Sequence, residues 1–357
     1  MKKIHIIGIG GIGTSSLARH LQKNGFILSG SDQSSSSQTD ALQKEGIQIF
    51  IGQKKENIAA DCDLVIYSPA IAEENEEMQA ATDREIQKMS YPQALGYFFQ
   101  DKKNICVAGT HGKTTTTAMI GKMLIDAGKN PSIIIGANIK EWGEKNYHAG
   151  NSEIAVIESC EYRGSFLNLQ PFIVVLTNVD LDHLDAYKDK ESYDQAFENF
   201  IKKIPQEGIL VHHEDDESSK KIAAKVTCQK ITTEKNFKTD LQIPGKHNQK
   251  NAALAAALGK YFGISQETIR KSLSNFAGTM RRFEYKGIFH HENGQTKIYD
   301  DYGHHPVEIR ATLQAAREKF PTEKILAVFQ PHQFSRTKFF LEDFKTCFAD
   351  ADAVLIP

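Results

Sequence analysis

The sequence predicts an α/β chain built on mainly parallel sheets, and three observations carry that prediction. Short apolar runs alternate with stretches of helical apolar spacing over most of the length. Twice such a run ends in a glycine-rich turn that opens a helix, at residues 8–13 and 109–115. Polar residues gather directly after several runs, where the ligand crevice of an open parallel sheet lies.

Taken in order, residues 4–9 read as the first strand and 14–24 as a helix ended by Gly25. Residues 26–29 follow as a strand, 34–37 as a serine-rich loop or helix start, and 64–67 as a later strand. The apolar run 104–108 enters the second glycine turn, after which Met119, Ile120, Met123 and Leu124 recur at helical spacing. Strands are expected at 154–157, 173–177 and 209–212, then an Ala-rich helix at 251–262 and a helical pattern at 269–276. A third unit opens near 280–284, with strands at 297–299, 325–329 and 353–356. Three strands and two helices make about half of a doubly wound domain, so this unit reads as incomplete, either a fragment or a short natural version. No Pro-rich or Gly-Ser-rich linker marks a boundary, and domains are expected over 1–100, 101–281 and 282–357.

Bulk properties narrow the function classes. A chain of 357 residues has ample core for two or three domains. Its net charge is −2 with Lys and Arg scattered, which argues against nucleic acid as a partner. Cys62, Cys106, Cys160, Cys228 and Cys347 are isolated, so neither a zinc site nor a disulfide framework is indicated, and a reducing cytoplasm fits. The start, Met1-Lys2-Lys3 and an apolar run, looks like a signal peptide, but glycines break the run and no small-residue cleavage site follows. No segment approaches the roughly 20 apolar residues that span a membrane, so no membrane partner is expected. Nothing in the sequence sets an oligomeric state.

Several motifs carry chemistry. Gly109-Thr110-His111-Gly112-Lys113-Thr114-Thr115 sits between a strand and a helix, the setting of a phosphate loop. Backbone N–H groups there face anionic oxygens, Lys113 neutralises charge, and the Thr114 hydroxyl suits Mg²⁺. The spacing is shorter than the general Gly-x-x-x-x-Gly-Lys pattern. Gly8, Gly10, Gly11 and Gly13, with Asp32 after the second strand, satisfy the dinucleotide-binding fingerprint. Alone they would suit a nicotinamide dehydrogenase; a second phosphate loop argues for different chemistry. Glu158 and Glu161 lie just past a strand, where Glu158 can reach a phosphate-bound Mg²⁺. His183 sits among Asp180, Asp182 and Asp185 at another strand end, suiting a cation or proton transfer. Asn248 and Asn251 share a helix face and can read a base edge or cap the helix. Arg282 at a domain junction can clamp a phosphate on closure or form an interdomain ion pair. The runs 300–306 and 330–337 add polar strand ends to what reads as one crevice.

Together, and in this order, these motifs resemble the Mur ligases across essentially the whole chain. The resemblance implies three domains: a Rossmann-like N-terminal domain, a central P-loop-type ATPase domain and a partial Rossmann-like C-terminal domain. It implies the branch that joins L-alanine to UDP-N-acetylmuramate with ATP and Mg²⁺, through an acyl phosphate, in cytoplasmic peptidoglycan precursor synthesis. The four glycines 8, 10, 11 and 13 would receive the UDP diphosphate, and Asp32 would lie in the uridine pocket. Lys113 would hold the β- and γ-phosphates and Thr114 a Mg²⁺, while Glu158 and His183 would hold a second Mg²⁺. Asn248 and Asn251 would contact adenine, Arg282 the γ-phosphate and Asp301 the ribose. His304, His332 and Arg336 would lie near the alanine. Two departures stand out: Glu158-Ser159-Cys160-Glu161-Tyr162 replaces the usual Glu-Ala-Asp-Glu-Ser, and Gln333 stands where many members carry Arg. Tyr162 resembles a branch that attaches a preformed tripeptide, whereas Gly303 and the 330–337 motif resemble the alanine branch. A truncated nucleotide binder without catalysis is the alternative from another class.

Overall fold

The computed structural model describes residues 2–292 and 294–357; Met1, where the signal-like start begins, lies outside the described residues. The elements in chain order begin with β1 (Lys3–Ile7), α1 (Ile12–Lys23), β2 (Ile27–Asp32), α2 (Ser37–Lys44), β3 (Gln48–Ile51), β4 (Leu64–Tyr67), α3 (Glu76–Asp83), β5 (Gln87–Ser90) and α4 (Tyr91–Phe99). They continue with β6 (Lys103–Ala108), α5 (Lys113–Asp126), β7 (Ser132–Ile139), β8 (Lys145–His148), β9 (Ile154–Glu158), β10 (Pro171–Leu176), α6 (Lys190–Ile201), β11 (Ile209–His212), α7 (Glu217–Ala223), β12 (Gln229–Thr232), α8 (Lys246–Tyr261) and α9 (Gln266–Ser274). The last stretch holds β13 (Glu284–His291), β14 (Gly294–Asp300), α10 (Pro306–Lys319), β15 (Leu326–Val328), α11 (Phe334–Phe339), α12 (Leu341–Thr346) and β16 (Ala353–Leu355).

Two compact units emerge. The first comprises Met1–Asn104, Asn130–Ile157 and Asn168–Gln170. Its main sheet runs β3-β2-β1-β4-β5, with every pair parallel. Strand order reverses beside β1, so the loop after β1 stands at the topological switch point, where open sheets bind ligands. Ile4, Ile6 and Ile7 of β1 are buried, as a central strand covered on both faces requires. In the same unit β7 pairs parallel with β9 and antiparallel with β8.

The second unit comprises Ile105–Lys129, Glu158–Leu167 and Pro171–Pro357. Here β12-β11-β10-β6 lie in that order, with β10, β11 and β12 parallel. Phe166, Phe197, Phe200 and Tyr193 are fully buried around one another, with Phe166 stacked on Phe200 at 4.4 Å. That cluster anchors the segment that carries Glu158 and Glu161.

Two expectations shift. The Ala-rich helix starts at Lys246 rather than 251, because its first turn is polar and gives no apolar period. The last stretch holds four strands and three helices rather than three and two. The extra strand β13 forms an antiparallel hairpin with β14, bulged between Tyr285 and Gly287. Both strands are mostly exposed, so no alternation betrays β13, and only 297–299 of β14 could be read.

Candidate functional site

The second glycine turn closes β6 and opens α5. Gly109 and Gly112 have φ of +140° and +80°, conformations that favour glycine. Space forbids side chains as well: a Cβ on Gly109 would lie 2.0 Å from Thr177 Oγ1, and one on Gly112 2.5 Å from Asn251 Oδ1. Thr110 N–H donates to Asn178 O at 3.1 Å and His111 N–H to Asn178 Oδ1 at 2.9 Å. The helix then begins on Gly112 with no side-chain cap. The first N–H groups of a helix have no intrahelical partner, and with the helix dipole they form an anion site.

Lys113 Nζ folds back onto Gly109 O at 2.5 Å and Thr110 O at 2.9 Å, and pairs with Glu161 Oε2 at 2.9 Å. Burial pulls the Lys113 ammonium down, but Glu161, Cys160 and Glu158 together more than offset it and the net shift is upward. Burial pushes the Glu161 carboxyl up, but Lys113 and His183 bring it below its ordinary value. Both groups therefore hold their charge out of water, each stabilised by the other. Glu161 Oε1 faces His183 Nε2 at 3.5 Å and accepts from Tyr193 Oη at 3.3 Å. Tyr193 Oη in turn lies 2.8 Å from Thr110 Oγ1, which ties the network to the phosphate loop.

Thr114 Oγ1 donates to Glu158 Oε1 at 2.7 Å. Two hard oxygens at the start of α5 fit Mg²⁺, an ion that keeps several waters and uses one or two carboxylates with substrate phosphates. His183, expected with Glu158 at a second Mg²⁺, has its Nε2 3.5 Å from Glu161 Oε1. Among the described residues no group of three or more His, Cys, Asp or Glu side chains is arranged to hold a metal. His183 has φ +53°, and its N–H donates to Asp182 Oδ1 at 2.7 Å. Asp182 also receives Arg336 Nε at 3.1 Å and Nη2 at 3.3 Å, a buried two-bond pair. Arg336, expected beside the alanine, is thus engaged with Asp182. His332 is exposed.

A cavity of about 300 Å³ opens beside the loop, lined by His111, Gly112, Thr115, Asn248, Asn251 and Arg282, together with Asp301. Asn251 Nδ2 donates to Asn248 Oδ1 at 3.4 Å, and Asn248 Nδ2 to Pro244 O at 2.6 Å. The pair thus faces the cavity and also secures the helix start. Asp301 accepts Phe283 N–H and Gly303 N–H, both at 2.7 Å, while burial pushes its carboxyl up. The turn it holds carries Arg281 and Phe283 at φ +58° and +50°, with Arg282 between them on the cavity wall. Strained backbone of this kind concentrates at working sites. His304 stands outside the lining, its Nδ1 2.9 Å from Tyr302 O.

The first glycine turn lies in the other unit. Gly8 and Ile9 N–H donate to Ser31 O at 2.9 and 3.0 Å, and Gly10 N–H to Asp32 Oδ2 at 2.9 Å. A Cβ on Gly10 would lie 2.8 Å from Asp32 Oδ2 and one on Gly13 2.7 Å from Tyr91 Cζ. Gly11 is the N-cap of α1, again with no side-chain cap. Asp32 therefore shapes the loop with the carboxylate expected in the uridine pocket.

Sequence reasoning passed over four residues that hold these groups: Asn178, Glu161, Asp182 and Glu308. Glu161 and Asp182 stood in the acidic runs noted above, and Asn178 stands just past the end of β10 with no signal of its own; Glu308 has one, three positions after the N-cap His305 of α10.

Comparison with known proteins agrees along the chain. Profiles of the Mur ligase family match its catalytic domain over residues 3–103, its middle domain over 107–234 and its glutamate ligase domain over 281–356. The chain is 41% identical to a UDP-N-acetylmuramate–L-alanine ligase of Clostridium kluyveri, over 99% of this chain and 83% of that one. Against the enzyme of that name from Clostridium botulinum the identity is 40%, over 99% and 82%. Among solved structures, a UDP-N-acetylmuramate–alanine ligase from Thermotoga maritima matches with TM-score 0.84 and 31% identity, over 100% of this chain and 85% of that one. A murein peptide ligase from Psychrobacter arcticus shares the fold at TM-score 0.81 and 24% identity, over 100% and 84%. On its profiles, its relatives and its fold, the chain belongs to the Mur ligase family.

Proposed function

We propose that this chain joins the amine of L-alanine to the lactyl carboxylate of UDP-N-acetylmuramate while ATP becomes ADP and phosphate. The observation that carries the reading is the phosphate loop with Lys113 paired to the buried Glu161 at 2.9 Å beside a cavity walled by Asn248, Asn251, Arg282 and Asp301. The names of the relatives at about 40% identity support the same substrates.

In this reading the carboxylate takes the γ-phosphoryl group and ADP leaves; the neutral amine then attacks the acyl carbon and phosphate leaves. The uncapped start of α5 and Lys113 bind the β- and γ-phosphates. Thr114 and Glu158 would hold Mg²⁺, which supplies charge against the repulsion between carboxylate and phosphate. Arg282 clamps the γ-phosphate, Asn248 and Asn251 read adenine, and Asp301 takes the ribose. Glu161 keeps Lys113 charged, and His183 is oriented from the same carboxylate. The first glycine turn receives the UDP diphosphate through backbone N–H groups, and Asp32 fixes that turn. Residues 1–100, 101–281 and 282–357 serve as sugar-nucleotide, ATP and amino-acid domains. The setting is the cytoplasm; among the described residues no helix is long and apolar enough to cross a membrane.

The test is phosphate release from Mg-ATP with UDP-N-acetylmuramate, with and without L-alanine. Alanine-dependent release is expected. Release that requires a tripeptide instead would move the chain to the other branch. No release with any acceptor, despite intact nucleotide binding, would overturn the ligase reading.

A further inference from the structure

We infer that Glu308 is a positioning residue for the nucleotide: one carboxylate holds both the phosphate-loop His111 and Arg282 at the same cavity wall. This rests on the ligase reading above and deepens it. Glu308 Oε2 accepts His304 N–H at 3.1 Å and His305 N–H at 3.4 Å, closing the capping box of α10. A cap needs only that oxygen. The other oxygen, Oε1, lies 3.2 Å from His111 Nδ1 and 3.9 Å from Arg282 Nη1. His111, Arg282 and Glu308 all line the cavity.

The consequence for His111 is specific. Its N–H is fixed by Asn178 and its Nδ1 by Glu308, so the ring has one orientation. Nε2 is then left buried with no hydrogen-bond partner among the described residues, 4.0 Å from Asp180 Oδ2. A buried polar atom without a partner is costly and calls for an explanation. A nucleotide phosphate oxygen in the loop supplies one. Arg282 gains as well: a long side chain that is part exposed needs an anchor to present its guanidinium to a phosphate. Burial raises the Glu308 carboxyl, but His111, Arg282 and His304 together bring it well below its ordinary value, so the anchor is charged.

Glu308→Gln separates the two roles, since glutamine also closes a capping box but carries no charge. We expect KM for ATP to rise about tenfold, with KM for UDP-N-acetylmuramate within about twofold and the melting temperature near that of the parent. The dissociation constant of a non-hydrolysable ATP analogue, read by calorimetry, should rise by the same factor. Combined with His111→Ala, the loss should be less than the product of the single losses. Parent-like ATP KM and analogue binding would overturn the inference, and so would independent losses. Should the Gln variant not fold, Glu308→Asp is read in the same assays. A shorter carboxylate that leaves ATP KM unchanged would also overturn it. A parent chain without alanine-dependent phosphate release would instead sink the ligase reading, and the analogue titration would still report on Glu308.

Discussion

The two glycine turns share one plan, a parallel strand, a glycine bend and a helix without a side-chain cap, yet they are equipped for different tasks. The first has its early amides taken up by its own sheet, through Ser31 O and the Asp32 carboxylate. It offers an anion the start of α1 and no cation of its own, since residues 8–14 carry no charge. The second is tied down through Asn178 and adds Lys113, Thr114, Glu158 and Glu161. Backbone dipoles alone suffice to hold a diphosphate that stays intact. A phosphoryl group in transfer changes its charge distribution and needs preorganised charge. On the proposed reading, the first turn binds a diphosphate and the second also supplies charge to the phosphoryl transfer.

The sharpest way to break that comparison is Lys113→Ala. Turnover should fall roughly 10²–10³-fold, while calorimetric binding of UDP-N-acetylmuramate stays unchanged; retained turnover would show that the second turn also only binds. Next comes a crossed pair. Gly112→Ala places a Cβ at φ +80° against Asn251, and Gly10→Ala places one against Asp32. The first should raise KM for ATP and the second KM for the UDP-sugar, each roughly tenfold or more from steric strain, in steady-state assays that vary one substrate at a time. A shared effect on both constants would deny the division of labour.

A smaller effect concerns acid. Burial, then Lys102, lowers the His20 pKa from 6.5 to about 4 in the first unit, where the ring stacks on Phe99 at 4.2 Å. Burial, then His111, lowers His305 to about 4 in the second. A histidine with a depressed folded pKa binds fewer protons folded than unfolded between those values. Its stability contribution is therefore full above about pH 6.5 and declines as pH falls toward about 4. Urea midpoints at pH 7 and pH 5 should show a drop that His20→Gln reduces by about 2 kcal/mol; an unchanged slope would mean that His20 titrates normally. The smallest effect is expected from Asp32→Asn, which keeps an acceptor for Gly10 N–H. KM for the UDP-sugar should move by about threefold or less, and a large rise would give the carboxylate charge a direct part in binding.

Much of this was legible in the chain. Both glycine turns, Lys113 and Thr114 could be read because their backbone demands and their charge are local. The core strands β4 and β11 were found at their observed bounds because buried parallel strands are short unbroken apolar runs. The choice between Glu158 and Glu161 as partner of Lys113 was not legible. Glu158 ends β9 and Glu161 stands three residues on, and the outcome depends on a segment in which Arg163 and Gly164 take left-handed conformations. The Arg336–Asp182 pair joins residues 154 apart, so no local pattern could have shown it.

The sequence by itself determined the α/β class, the two glycine turns that open helices and the family, since glycine conformations, helix ends and apolar periods are properties of a few neighbouring residues. Only the tertiary structure decided which carboxylate meets which basic side chain: Glu161 with Lys113 and His183, Asp182 with Arg336, Glu308 with His111 and Arg282. Buried charge must find opposite charge within a few ångströms, and that distance is set by how distant strand ends pack.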